Sequence, residues 1–144
     1  MNKYRLSPSC DYVALFKSTP IDFFSPEKRR PLQRLRFGRR PQRGVVEIND
    51  GKLDFEIHLR ARNSVVPPGD LAFAQQVLAQ VAEMDSAARE LPQRLGMDHE
   101  EYLAYITIAP PKVVLRYCAA AFNTEWSAHF VPGKSGRYQL VRLG

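Results

Sequence analysis

The chain has 144 residues, 44% of them apolar, and a net charge of +6. That is the size of one ordinary domain, with apolar content sufficient for a core that needs neither metal nor disulfide staples. No stretch approaches the ~20 consecutive apolar residues of a membrane span, and the opening Met1–Pro8 lacks the apolar run of a secretory signal, so a soluble, cytoplasmic, single-domain protein (1–144) is expected.

Prolines at positions 8, 20, 26, 31 and 41 restrict regular structure in the first forty residues, because proline lacks a donor N–H and restrains its predecessor. Residues 1–44 therefore read as an irregular, basic, proline-rich region ahead of a core at 45–144. Within it, Tyr12–Phe16 reads as a short strand, and Ser25-Pro26-Glu27 as a helix start, cut short by Pro31. Glu27 to Arg43 follows with eight cations and one carboxylate in seventeen residues, a net +7 against +6 for the whole chain. The remaining residues thus total −1, and the basic character belongs to one segment.

From Val45 the periodicity sharpens. Val45–Ile48 leads into the turn signal Asn49-Asp50-Gly51, and Lys52–Arg62 alternates strictly, with Leu53, Phe55, Ile57, Leu59 and Ala61 on one face and Asp54, Glu56, His58, Arg60 and Arg62 on the other. This is an antiparallel strand with one face in water. After Pro67-Pro68-Gly69 the period becomes helical, with Asp70 as its N-cap and an apolar stripe through Leu71, Ala74, Leu78 and Val81, joined by Phe73, Val77 and Met84. The helix is expected over about 70–91, with a break or a short second helix from Pro92. Asp98 and Glu101 read as cap and capping-box partner of a further helical turn. Four strands follow, at Tyr102–Ile108, Val113–Ala119, Glu125–Val131 and Arg137–Leu143. The expected fold class is α+β, a mainly antiparallel twisted sheet with one main amphipathic helix packed on it.

Signals for catalysis are sparse. G-x-S-x-G, Walker and G-x-G-x-x-G motifs are absent from the sequence, and neither Cys10 and Cys118 nor His58, His99 and His129 have metal-ligand spacing. No enzyme activity, cofactor or metal is expected, and the two cysteines are expected to be free, buried thiols. Asp54, Glu56, His58 and His129 are the best constellation for an enzyme reading, on one polar sheet face, but a solvated face of alternating charge is the favoured reading because alternation alone predicts polar residues there. Trp126 falls on the apolar side of its strand and reads as core.

The arginine-rich segment carries three open readings: a solvated loop, a docking surface for an acidic protein, or a phosphate-backbone contact. Guanidinium groups beside Phe23, Phe24 and Phe37 suit an interface. The near-neutral remainder, without helix-turn-helix, RNP or KH signatures, argues against nucleic acid.

The stretches "LDFEIHLRARNSVVPPGDLAFAQQVLAQVAEMDSAARE", "VVLRYCAAAFNTEWSAHF" and "GRYQLVRLG" resemble small bacterial α+β immunity proteins of polymorphic toxin systems, such as type VI secretion and contact-dependent inhibition. The resemblance covers residues 45–144, and it implies a protein that acts by binding, with no catalytic residue. Joined to the charge pattern, it leads to an expected immunity protein that occludes a cognate toxin bearing an acidic surface. Arg29, Arg30, Arg34, Arg36, Arg39 and Arg40 are the expected electrostatic contacts and Phe37 the apolar anchor. The alternative is a nucleic-acid-associated accessory protein using residues 28–43 on phosphates.

Overall fold

Strict alternation dictates a half-buried strand, and the computed structural model, which describes residues 4–25, 42–90, 101–119 and 124–144, places it inside one seven-stranded sheet. The strands are β1 (Asp22–Phe24), β2 (Gln42–Asn49), β3 (Asp54–Ala61), β4 (Glu101–Ala109), β5 (Lys112–Ala119), β6 (Thr124–Pro132) and β7 (Tyr138–Leu143), arranged side by side in chain order. Two helices, α1 (Tyr12–Ser18) and α2 (Pro68–Arg89), accompany them. The fold is α+β with one main helix and a mostly antiparallel sheet. The exception is β3–β4, which is parallel, with α2 as the crossover between them.

The sheet is covered on one face. Phe55, Ile57 and Leu59 of β3 are buried with Ile106 and Ile108 of β4, Leu115 and Tyr117 of β5, and Ala128 and Phe130 of β6. Ala74, Val77, Leu78, Val81 and Met84 of α2 and Tyr12 and Phe16 of α1 join the same cluster. Each such fully buried side chain contributes about 1.5–3 kcal/mol relative to exposure. Gln80, off the apolar stripe of α2, straddles the edge of the sheet, donating to the Gly136 carbonyl (2.9 Å) and accepting from the Tyr138 N–H (3.1 Å).

Several elements differ from the sequence expectation. Tyr12–Phe16 is helical, because Asp11 caps it by accepting from the Ala14 N–H (3.0 Å) and the i, i+4 pair Tyr12 and Phe16 buries one face. α2 starts at Pro68, proline being favoured in the first turn, so Asp70 is not the cap. Its carboxylate instead receives Arg60 from β3, at 3.1 and 3.2 Å. Glu101 completes no capping box: it opens β4, is 1% exposed, and accepts a hydrogen bond from the Trp126 indole. The helix start at Ser25-Pro26-Glu27 and the segment after Pro92 lie outside the described residues. Both cysteines are free but only half-buried, and burial raises both thiol pKa values, keeping them protonated.

A buried polar network joins three parts of the chain. Asp85, fully buried in the last turns of α2, accepts from Arg89 Nε (2.9 Å), the Tyr117 hydroxyl (2.6 Å) and the Leu6 backbone N–H (3.0 Å). Arg89, 3% exposed, donates to the carbonyls of Glu101 (2.9 Å) and Tyr4 (3.2 Å) and lies over the Tyr117 ring, 4.9 Å from its centroid. Tyr117 stacks on Trp126 at 4.2 Å, its phenol pushed well above the usual pKa by burial and by the Asp85 carboxylate. The end of α2, the N-terminal segment and the strands β4–β6 thus share one set of hydrogen bonds.

Beside the first residue of α1, Asp50 organises the β2–β3 turn. It accepts from the Lys52 and Leu53 N–H groups (2.9 and 2.7 Å) and from the Tyr12 hydroxyl (2.9 Å). Burial pushes its pKa up, but these hydrogen bonds and the Lys52 charge outweigh that and hold it below the usual carboxylate value.

Two predictions follow from these contacts. Asp85→Ala leaves Arg89 Nε, Tyr117 and Leu6 without their acceptor, so urea unfolding should show a loss of more than about 3 kcal/mol; a loss below about 1 kcal/mol contradicts the network. For Asp50, a depressed folded-state pKa means stabilisation that is present above its unfolded value and lost as pH falls through the folded one. Asp50→Asn should therefore destabilise the protein at neutral pH and flatten the acid limb of its stability profile, measured by denaturation across that range.

Candidate partner-binding edge

Of the residues expected to contact a partner, Arg29, Arg30, Arg34, Arg36, Phe37, Arg39 and Arg40 lie outside the described residues. The structure describes where their segment is attached. β1 pairs antiparallel with β2, and the last β1 residue, Phe24, stands directly opposite Arg43. The chain leaves the sheet at Phe24 and returns one strand away, about 5 Å across. The arginine-rich stretch thus joins two paired strands at one edge of the sheet.

The attachment point has its own chemistry. The Gln42 side chain donates to Ser25 Oγ (3.4 Å) and accepts from the Ser64 N–H (2.6 Å), tying the hairpin mouth to the turn after β3. Phe24 and Val65 are two of the three large apolar side chains most exposed among the described residues, at 56% and 60%. Both lie at this end, since Val65 bridges Arg62 and β3 runs back along β2 to Ala61 opposite Gln42. Arg43 and Arg62 are exposed beside them, whereas Arg60 is held by Asp70. An apolar pair flanked by free guanidinium groups has the composition of an interface centre.

Gly44 seats β1 against the turn after β3. A Cβ there would stand 3.0 Å from Ile21 Cγ2 and 3.3 Å from Val66 Cγ2, and glycine permits that approach.

The polar sheet face is assembled differently from the expected constellation. Asp54, Glu56 and His58 share one face of β3, where His58 bonds to Glu56 (2.9 Å) and stacks on Tyr105 of β4, 4.4 Å between centroids. His129 shares that face, in the row His58–Thr107–Val114–His129 set by the strand registers. Three strand spacings, roughly 14 Å, separate the two imidazoles. Among the described residues no side-chain carboxylate pairs with His129; burial first and the charges of Arg142, Arg116 and Lys112 next lower its pKa. Among the described residues no group of three or more His, Cys, Asp or Glu side chains converges as for a metal. The cations near His129 went unnoticed in the sequence because strand order decides which outward residues meet.

No protein-family model, no curated protein and no solved structure matches the chain. Among the described residues no helix is long and apolar enough to cross a membrane.

Gly44→Val tests the attachment. Its methyl groups have no room against Ile21 and Val66, so β1 should loosen, with faster amide exchange across Asp22–Phe24, an unchanged α2, and a stability loss of about 1–3 kcal/mol. Unaltered exchange in β1 contradicts the close approach.

Proposed function

We propose that this protein acts in the cytoplasm as an immunity-type inhibitor, neutralising a cognate secreted antibacterial toxin by steric occlusion, with the connection 28–43 docking on an acidic surface of that toxin. The observation that carries the reading is the closure of a net +7 stretch between Phe24 and Arg43, paired opposite one another on an edge strand. Anchoring both ends reduces the chain entropy lost when such a segment orders on a partner. Exposed Phe24 and Val65 supply apolar surface at its base, and arginine forks supply bidentate pairing with carboxylates. The cation cluster also accelerates encounter with an acidic partner. Unpaired cysteines accord with a reducing compartment.

The test begins with capture by the tagged protein from its own source after nuclease treatment, followed by affinity measurement with the retained protein. One stoichiometric protein partner is expected, inhibited on binding. The charge reversal Arg36→Glu, Arg39→Glu, Arg40→Glu should weaken the complex at least about tenfold while the thermal midpoint stays in place. Unchanged affinity in a folded triple variant overturns the site assignment. Bound material that vanishes with nuclease, with a steep log–log salt slope for nucleic acid, favours phosphate contact by the same arginines instead.

A further inference from the structure

Far from the β1–β2 edge, the open face of the sheet is indented. Tyr105 and Thr107 of β4, Val114 and Arg116 of β5, Ser127 and His129 of β6, Arg142 of β7 and Gly144 line a concavity of about 390 Å³. That volume lies in the range of small-molecule sites, about 300–1,000 Å³. Strand register assembles it: Tyr105 pairs with Arg116 and Arg116 with Ser127, while Val114 stands between Thr107 and His129, and His129 faces Arg142. Two register shifts shape the patch. One between Leu103 and Tyr105 keeps both Leu103 and Ile106 inward and leaves Tyr105 on the open face. The other skips Val141 so that Arg142 still meets His129.

The electrostatics of this patch are one-sided. Lys112, Arg116 and Arg142 are the charges acting on His129, and the one side-chain carboxylate in ion-pair reach of these cations among the described residues is Glu125, 3.6 Å from Arg116 Nη1 and itself exposed. That contact leaves Arg116 Nε buried with no hydrogen-bond partner. Buried N–H groups are almost always paired, so Arg116, whose side chain is one-third exposed at the hollow, keeps donor capacity that its carboxylate contact leaves unused. His129, held largely neutral by its burial and its cationic neighbours, keeps a ring nitrogen for hydrogen bonding.

We propose that this concavity binds the phosphoryl group of a small phosphorylated molecule, with Arg116 and Arg142 as its principal ligands and the Thr107 and Ser127 hydroxyls as further donors. Two guanidinium forks and two hydroxyls offer more donors than one carboxylate group can accept, whereas a phosphate monoester presents three strong acceptor oxygens and up to two charges. The hollow exceeds a bare phosphate, leaving room for the organic part along Tyr105. The site, whose nearest strand β4 lies two strands from β2, shares no residue with the partner-binding edge and stands or falls separately from it.

The experiment is an NMR titration of the full chain with inorganic phosphate and with phenyl phosphate, against acetate at matched ionic strength. Saturable shifts at Thr107, Ser127 and His129 are expected with both phosphates and not with acetate. Bound phosphate should also move the His129 titration upward, because the anion offsets Arg142 on β7 and Lys112 and Arg116 on β5. Arg142→Gln, an exposed change that leaves the core untouched, should weaken phosphate binding at least about tenfold; Lys17→Gln on α1 should not. A non-saturable response, equal binding of acetate, or unweakened binding by the folded Arg142→Gln variant overturns the proposal.

Discussion

The buried carboxylate of Asp85 is the point on which the rest of the structure depends. A carboxylate with no solvent exposure is costly unless every lone pair is used, and this one takes hydrogen bonds from helix, strand and N-terminal segment together. Breaking any of the three contacts leaves a buried polar group exposed to desolvation without return, so the elements are held as a unit. Arg89 extends the same logic to β4 and the Tyr4 carbonyl. The stretch "MDSAARE", the tyrosine of "LRYC" and the tryptophan of "NTEW" therefore meet in space. Their residue types follow from satisfying a buried network, with no chemistry required of them.

α1 and α2 cover the apolar face, so stability resides in a single layer interface. The arginine-rich stretch joins β1 to β2, the two strands at one edge of the sheet. The opposite half of the open face gathers Arg116 and Arg142 around a hollow. The charges of Arg116 and Arg142 stay out of the core.

Much of the scaffold was legible from local pattern. β3 declares itself by alternation from Phe55 to Ala61, and α2 by the stripe from Ala74 to Met84, since both signals depend only on neighbours in sequence. α1 was misread because Tyr12–Phe16 is short enough to suit strand or helix, and the capping role of Asp11 decides it. Glu101 was misread because its partner, Trp126, is twenty-five residues away. Acidic residues after a glycine look like a helix start until a long-range hydrogen bond claims one of them. The parallel β3–β4 pair and the two register shifts are likewise properties of strand order. The charge of 28–43 was plain in the sequence, as was the polar face holding His58 and His129; that the histidines stand apart and that cations surround only one of them required the registers.

The account rests on the claim that Asp85 locks the N-terminal segment to the core. Native-state amide hydrogen exchange at Leu6 tests this most directly, because that N–H is bonded to the buried carboxylate and belongs to no helix or strand. Exchange at Leu6 as slow as that of the central β5 amide of Leu115, with the same denaturant dependence, is the predicted result: both open only on global unfolding. Fast, denaturant-independent exchange at Leu6 beside a protected Leu115 would mean that the segment frays on its own, and the network would not be what holds the fold together.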